Sequence, residues 1–204
     1  NENHTAASEQ LLADIANTAL RTLAERPNID LFWRTRLMNG LRYVNRLEAT
    51  RRNVPLQVGC EREIESTFTL GDKKISLHGR IDRIEPRADG AVIVDYKTGD
   101  IPSSKAILEG RALQMLVYAM LLQNEGEEVA VLEYWQLPKL GEEGKRQPTS
   151  MGEIAADLPE KLRAALADML NPATPFLARP VANNADERFG NDYDGISRYD
   201  EWAG

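Results

Sequence analysis

The sequence predicts an α/β domain in which helices flank a mixed central sheet. Two stretches with helical spacing of apolar residues open the chain, three strand-like stretches separated by short polar turns follow, and a helix then leads to a fourth strand. Short turns join antiparallel neighbours, whereas a crossover helix joins strands that run parallel. The predicted order is therefore α-α-β-β-β-α-β, with one further helix after the last strand.

Two helices are predicted over residues 6–25 and 30–50, where apolar side chains recur at helical spacing. Pro27 and Asn28 are expected to end the first helix, and Pro55 ends the pattern of the second. Six arginines lie along the second helix and just beyond it: Arg34, Arg36, Arg42, Arg46, Arg51 and Arg52. A solvated helix face is the ordinary explanation of such a run, and contact with DNA phosphates or a partner subunit is the alternative.

The predicted sheet has four strands, which are rich in apolar residues and bounded by Gly or Pro. They span residues 57–70, 73–85, 91–97 and 129–137. A helix over residues 103–124, capped by Ser103 or Ser104, connects the third strand to the fourth. Residues 140–150 are polar, contain Gly and Pro, and are expected to be mobile. A last amphipathic helix is predicted over residues 151–170.

The composition fits one domain spanning residues 1–204, with residues 1–55 as a helical lead-in and residues 171–204 as an irregular tail. The chain is 42% hydrophobic, and its 25 Lys and Arg against 32 Asp and Glu give a net charge of −7. Binding to the nucleic-acid backbone needs Lys and Arg, so this charge disfavours a stand-alone DNA-binding module. The negative net charge is compatible with an enzyme that has a local basic patch, or with one to which a larger partner delivers DNA.

The apolar runs and the cysteine content predict a cytoplasmic protein. No apolar run approaches the length of a membrane span, and residues 1–4 lack the pattern of a signal peptide. The chain does not begin with Met, which suggests a fragment of a longer protein. The single cysteine, Cys60, is expected to be a small buried apolar residue. One cysteine cannot hold an iron–sulfur cluster of the four-cysteine type, so no such cluster is expected.

The most informative residues are Asp82 on the second predicted strand and Asp95 and Lys97 on the third. Successive side chains of a strand point to opposite faces, so Asp95 and Lys97 share one face and Tyr96 lies on the other. Two carboxylates and a lysine brought together on adjacent strands are the working set of a metal-dependent phosphodiesterase. The ordinary alternative is a salt bridge, from Asp82 to Arg80 or Arg83 and from Asp95 to Lys97.

Mg²⁺ suits this set because it takes oxygen ligands, commonly one or two carboxylates together with waters and a substrate phosphate. Asp82 and Asp95 would supply the carboxylates, and the backbone carbonyl of Tyr96 would supply a third oxygen. Mn²⁺ is the alternative metal. Lys97 is expected to orient the attacking water or to stabilise negative charge on the phosphate.

Three stretches resemble the RecB-type branch of the PD-(D/E)xK nuclease superfamily. They are Gly79-Arg80-Ile81-Asp82-Arg83-Ile84, Val94-Asp95-Tyr96-Lys97-Thr98-Gly99, and Gln114 with Tyr118 on the following helix. The resemblance is strongest over residues 57–137, and it implies a restriction-endonuclease-like core of order α-β-β-β-α-β. It also implies that Asp82 and Asp95 bind the metal and that Lys97 is the catalytic lysine.

Gln114 and Tyr118 lie one helical turn apart and therefore share a helix face. The resemblance implies that this face borders the site and orients the lysine or contacts DNA. An ordinary polar pair on a helix surface is the alternative.

The resemblance further implies a metal ligand from an N-terminal helix, for which His4 is the nearby candidate. Glu63 or Glu65 would otherwise approach the metal, although a solvated strand face is their ordinary explanation. His78 is expected to be a hydrogen-bonded structural residue. Many relatives carry an iron–sulfur cluster held by four cysteines, which this chain cannot supply.

Residues 193–202 are similar to the C-terminal tail of AddB-type double-strand-break repair proteins. This similarity implies exonuclease-type cleavage of DNA during end processing in the bacterial cytoplasm, within a helicase–nuclease complex that contains an AddA-like partner subunit. Two other functions stay open. One is a catalytically silent nuclease-fold module that binds DNA or docks a subunit, and the other is a hydrolase of a different phosphodiester.

Overall fold

A computed structural model describes residues 7–21, 27–50, 58–139, 141–154 and 156–174. The helices are α1 (Glu9–Ala19), α2 (Pro27–Thr50), α3 (Ser104–Leu108), α4 (Gln114–Asn124) and α5 (Leu158–Met169). The strands are β1 (Gly59–Leu70), β2 (Lys73–Glu85), β3 (Ala91–Lys97), β4 (Val129–Gln136) and β5 (Lys145–Ser150). A 3₁₀ turn over Met151–Glu153 precedes α5. In the described part of the chain, no helix is both long enough and apolar enough to cross a membrane.

The five strands form one mixed sheet in the order β1-β2-β3-β4-β5. The pairs β1–β2, β2–β3 and β4–β5 are antiparallel, and β3–β4 is parallel. The parallel pair follows from the crossover through α3 and α4, since strands joined by a helical crossover run in the same direction. The predicted fold class, a mixed sheet flanked by helices with a restriction-endonuclease-like core, is confirmed.

The sheet is buried on both faces around its central strands. One face packs against α3 and α4, and its core includes Ile64, Ile81, Ile93, Leu132, Ile107, Met115, Leu121 and Leu122. The other face contributes Val92, Val94 and Trp135, against which Val44 and Leu47 of α2 pack. Because β3 has a helix on each side, every residue from Ala91 to Asp95 is buried. This double cover explains the continuous apolar run that precedes Asp95.

The start of α2 differs from the prediction that Pro27 ends a helix. Pro27 is the first residue of α2, a position where the missing backbone N–H costs nothing and the fixed φ suits the helix. Two arginines of α2 join it to α1. Arg42 forms an ion pair with Glu9 at 3.0 Å, and Arg34 donates to Asn17. These contacts add a third role for the arginine run, which is to hold the two helices together.

The connection between β3 and β4 is two helices, where the sequence predicted one over residues 103–124. Ser103 caps α3 by accepting from the backbone N–H of Ala106 at 3.1 Å. Gly110 then adopts a φ of 72°, which a continuous helix does not allow, and α4 begins only at Gln114. The break lets α4 start beside the end of β3.

The prediction that residues 140–150 are mobile is wrong for residues 145–150, which form β5. This strand pairs with β4 from Val131↔Ser150 to Gln136↔Lys145. Its sequence is polar because β5 lies at the edge of the sheet, and only Thr149 is buried. The last predicted helix also begins later, at Leu158.

Cys60 is exposed, contrary to the prediction that it is buried. It lies near the start of β1, one residue before Glu61, which has a φ of 51°. This distortion takes the first residues of β1 out of the regular alternation that the sequence suggests. His4, residues 51–57 and the tail over residues 193–202 lie outside the described residues.

Candidate active site

The candidate site lies where β2 separates from β3. The two strands pair only at Glu85↔Val92, Ile84↔Ile93 and Arg83↔Val94, whereas β2 remains paired with β1 as far as Lys73. The next positions beyond the last β2–β3 pair are Asp82 on β2 and Asp95 on β3. The fork in the sheet therefore brings together the two carboxylates that the sequence singled out.

At this fork the Asp82 side chain, rather than the backbone of β2, accepts a hydrogen bond from β3. Its Oδ2 accepts from the backbone N–H of Tyr96 at 2.9 Å. The salt bridge to Arg80 or Arg83 predicted as the alternative for Asp82 is not the one formed, because Arg80 pairs with Glu61 at 2.9 Å and Arg83 pairs with glutamates on the opposite face of the sheet. Asp82 is half-buried and retains a second carboxylate oxygen for other ligands.

The alternation of β2 breaks close to Asp82. Ile81 and Ile84 both belong to the core beneath α4, although residues three apart on a regular strand point to opposite faces. On β1, Glu61 lies between the residues that pair with Ile81 and Arg83, and thus opposite Asp82; its positive φ marks the distortion. Such irregularities re-aim side chains next to functional sites.

Three further acidic and histidine candidates lie away from the site. His78 is exposed, and its Nε2 lies 3.4 Å from Glu65 Oε1. On a regular strand His78 would share a face with Asp82, but the break in the alternation of β2 removes this relationship. Glu63 is exposed as well. The ordinary explanation of Glu63 and Glu65, a solvated strand face, agrees with the structure.

Asp95 is the buried member of the carboxylate pair, with 4% of its surface exposed. Lys97 Nζ lies 2.8 Å from Asp95 Oδ2, as the side-chain alternation of β3 predicts, so the salt bridge named as the ordinary alternative for this pair is present. Burial raises the pKa of Asp95; the Lys97 ammonium acts in the opposite direction, and the negative charge of Asp82 adds to the rise. Burial and the second carboxylate both disfavour the ionised form of Asp95, so a further positive charge close to it would stabilise that form.

Lys97 is also held from α4. Its Nζ donates to Gln114 Oε1 at 2.8 Å, and Gln114 Nε2 donates to the Tyr118 hydroxyl at 3.3 Å. Gln114 is the first residue of α4, so the break between α3 and α4 is what brings its side chain to Lys97. The structure thus joins four side chains of the predicted set, Asp95, Lys97, Gln114 and Tyr118, in one run of contacts, and Asp82 is attached to the same strand through the backbone of Tyr96.

Tyr134 is a neighbour of the site that the sequence did not indicate. It lies directly beside Asp95 on the parallel strand β4, is 1% exposed, and its ring centroid is 5.8 Å from Lys97 Nζ. Burial, together with the negative charge of Asp95, raises the pKa of Tyr134 to about 12. The neutral ring forms an apolar wall beside the ammonium. Only the β3–β4 register reveals this contact.

The oxygen atoms at the fork are of the kind that a divalent metal binds. Asp95 Oδ2 is buried, and among the described residues it makes the ion pair with Lys97 but no well-oriented hydrogen bond. Lys97 accepts at its carbonyl from Leu137 N beyond β4, so strand alternation directs the Tyr96 carbonyl to the opposite side, towards the fork. No three His, Cys, Asp or Glu side chains of the described residues form a metal-binding group, so two carboxylates and this carbonyl are the protein oxygens on offer.

Comparisons with known proteins place the chain in a family. The model of the PD-(D/E)XK nuclease superfamily matches residues 1–183. An uncharacterized protein of Rickettsia bellii (strain RML369-C) is 25% identical over 123 residues, which are 60% of this chain but 15% of that protein. The crystal structure of SSO0001 matches with a TM-score of 0.39 and 14% identity, over 81% of this chain and 77% of that one. The chain belongs to the PD-(D/E)XK nuclease superfamily.

Proposed function

We propose that this chain is a metal-dependent deoxyribonuclease that hydrolyses phosphodiester bonds at the fork between β2 and β3. The observation that carries the proposal is the convergence of Asp82, Asp95 and Lys97, with Lys97 Nζ 2.8 Å from both Asp95 Oδ2 and Gln114 Oε1. A structural ion pair needs neither a second carboxylate beside it nor an amide that orients its lysine. Membership of the nuclease superfamily supports the same reaction class.

The two carboxylates and the Tyr96 carbonyl would hold Mg²⁺ or Mn²⁺. When bound, the metal supplies Lewis-acid polarisation of the phosphate and activation of a water. Asp82 is already fixed by the Tyr96 N–H, which leaves its other oxygen to bind the ion. Asp95 is buried and needs positive charge, so it would gain more from the metal than an exposed carboxylate would.

Lys97 would act on the phosphate and on the attacking water. Its ammonium has three donors, of which one is directed to Gln114, and it forms an ion pair with Asp95. A remaining donor can donate to a phosphate oxygen, whose negative charge grows as the new bond forms. Gln114 fixes the direction of the ammonium, and the Tyr134 ring excludes water from its apolar side.

We further propose that the substrate is DNA at double-strand ends and that the whole protein works with an AddA-like helicase subunit. The similarity of residues 193–202 to AddB-type tails and the RecB-type stretches around Asp82 and Asp95 support this role. The chain spans about 15% of the length of the curated relative that it matches.

Cleavage of labelled linear and circular DNA, single- and double-stranded, tests the proposal with Mg²⁺, Mn²⁺ or EDTA. We expect metal-dependent cleavage by the wild type and its loss in Asp95→Ala and Lys97→Ala. Asp89→Ala and Lys74→Ala, which change exposed residues of the same strand region, should cleave like the wild type. Cleavage of linear but not circular DNA would support end processing.

Equal cleavage by the wild type, Asp95→Ala and Lys97→Ala would refute the site. A wild type that binds DNA but does not cleave it with either metal would refute the enzyme and favour the silent nuclease-fold module. Cleavage of a different phosphodiester in preference to DNA would refute the proposed substrate while keeping the site.

A further inference from the structure

The face of the sheet opposite the carboxylates holds a second polar arrangement directly behind the fork. Arg83 follows Asp82 in β2, and Tyr96 lies between Asp95 and Lys97 in β3. Arg83 Nη1 donates to the Tyr96 hydroxyl at 3.3 Å. This bond joins the residue next to one metal ligand with the residue next to the other.

Tyr96 is therefore held from two sides. Its backbone N–H donates to Asp82 on the site face, and its hydroxyl accepts from Arg83 on the opposite face. Its ring packs edge-on against Trp135, with centroids 5.5 Å apart and an interplanar angle of 88°.

Arg83 is itself fixed by charge and by packing. Its side chain is 10% exposed, and it pairs with Glu85 at 2.7 Å and with Glu48 of α2 at 2.6 Å. Its guanidinium lies 5.3 Å from the Trp135 ring centroid. A buried guanidinium with three polar partners and one ring has little freedom to move. Glu48 makes α2 part of this arrangement.

Backbone pairing between β2 and β3 stops at Arg83↔Val94, so no backbone pair holds Asp82 and Asp95 themselves together. The Arg83–Tyr96 bond is the contact that crosses the fork on the far side. We propose that Arg83 and Tyr96, braced by Glu48, are positioning residues that set the carboxylate separation and the direction of the Tyr96 carbonyl for metal binding. The inference rests on the proposed function of the same site.

The test compares Tyr96→Phe with Tyr43→Phe. Both remove one hydroxyl from a partly buried ring on the α2 side of the sheet, but only Tyr96 contacts Arg83. Mn²⁺ binding is measured from the free Mn²⁺ signal in electron paramagnetic resonance, and cleavage of DNA is titrated with Mn²⁺. Thermal unfolding in EDTA reports on the fold.

We expect Tyr96→Phe to weaken Mn²⁺ binding roughly tenfold, the scale of losses when a residue that orients a ligand is changed. Saturating Mn²⁺ should restore most of the cleavage rate, because the ligands and Lys97 are unchanged. Tyr43→Phe should bind Mn²⁺ like the wild type. Glu48→Gln should weaken binding in the same direction, and its effect should be smaller in the Tyr96→Phe background because both act through Arg83.

The outcomes separate the two proposals. A wild type that binds Mn²⁺ and cleaves DNA, with Tyr96→Phe binding equally well, overturns the positioning role and leaves the proposed function standing. Equal weakening in Tyr96→Phe and Tyr43→Phe also overturns it, since a general packing effect would then account for the loss. A wild type that neither binds Mn²⁺ nor cleaves DNA refutes the proposed function and the positioning role with it.

Discussion

The ring of Tyr118 lies directly against the backbone of Gly79. A β-carbon at Gly79 would come within 2.5 Å of Tyr118 Cε1 and 3.0 Å of Cδ1, closer than real side chains approach. The absence of a side chain at Gly79 therefore lets α4 pack closely onto β2. This contact places the Tyr118 hydroxyl beside Gln114, and Gln114 beside Lys97.

Gly79→Ala should push the Tyr118 ring away and displace Gln114 from Lys97. Small displacements of positioned groups cost roughly 10- to 100-fold in rate, and we expect a loss of cleavage on that scale. Gly59→Ala is the matched control, since its β-carbon would meet Ile84 at an ordinary 3.9 Å. Cleavage rates at saturating metal decide the matter, and equal rates for the two variants would contradict the prediction.

Removal of the Gln114 amide should cost more activity than removal of the Tyr118 hydroxyl. The Lys97–Gln114 contact is 2.8 Å, whereas the Gln114–Tyr118 contact is a longer and weaker 3.3 Å. We expect Gln114→Ala to lower kcat about tenfold, equivalent to about 1.4 kcal/mol, and Tyr118→Phe to lower it less. Single-turnover cleavage measures both, and a larger loss in Tyr118→Phe would reverse the proposed order of support.

The raised pKa of Asp95 predicts how stability depends on pH when no metal is bound. Its pKa in the unfolded chain is near the ordinary 3.8 and its folded pKa is higher, mainly because of burial. Between the two values the folded state keeps a proton that the unfolded state has lost, so stability falls as pH rises through this window. Urea unfolding in EDTA should show this fall in the wild type and a shallower one in Asp95→Asn. Asp89→Asn, at an exposed position, should follow the wild type.

Loss of the Glu85 charge, behind the fork, should lower the free energy of unfolding more than loss of a surface ion pair does. Glu85 is fully buried and pairs with Arg83 at 2.7 Å and with Arg87 at 2.9 Å. Because Glu85→Gln leaves two largely buried guanidinium groups without this charge, we expect it to lower the free energy of unfolding by about 3–5 kcal/mol. Glu65→Gln, which disturbs an exposed pair with His78, should cost less than about 1 kcal/mol. Urea denaturation compares the two, and similar losses would contradict the prediction.

The two strands that carry the carboxylates could be predicted because their composition, their side-chain alternation and their flanking residues all indicate a strand. β2 and β3 have the bounds predicted from their Ile and Val content and from the Gly and Pro residues beside them. The alternation of β3 was enough to place Asp95 and Lys97 together and Tyr96 on the other face. These features depend on short-range pattern alone.

What the sequence could not give depends on contacts between distant segments. β5 is polar and lacks alternation, so only its pairing with β4 identifies it as a strand. The exposure of Cys60 follows from the unusual backbone at Glu61, which no residue pattern signals. The Arg83–Tyr96 bond and the place of Tyr134 beside Asp95 arise from strand register, which one sequence does not display.

The composition of β5 has a consequence for how other chains can approach the sheet. Pro148 lies within this outermost strand, opposite Glu133, and proline has no backbone N–H to offer an added strand. Lys145 and Arg146 place charge along the same edge. Extension of the sheet by a strand from a second molecule is therefore disfavoured at β5, so a partner strand would have to add at the other edge, along β1, and a partner at the β5 edge would have to dock through side chains.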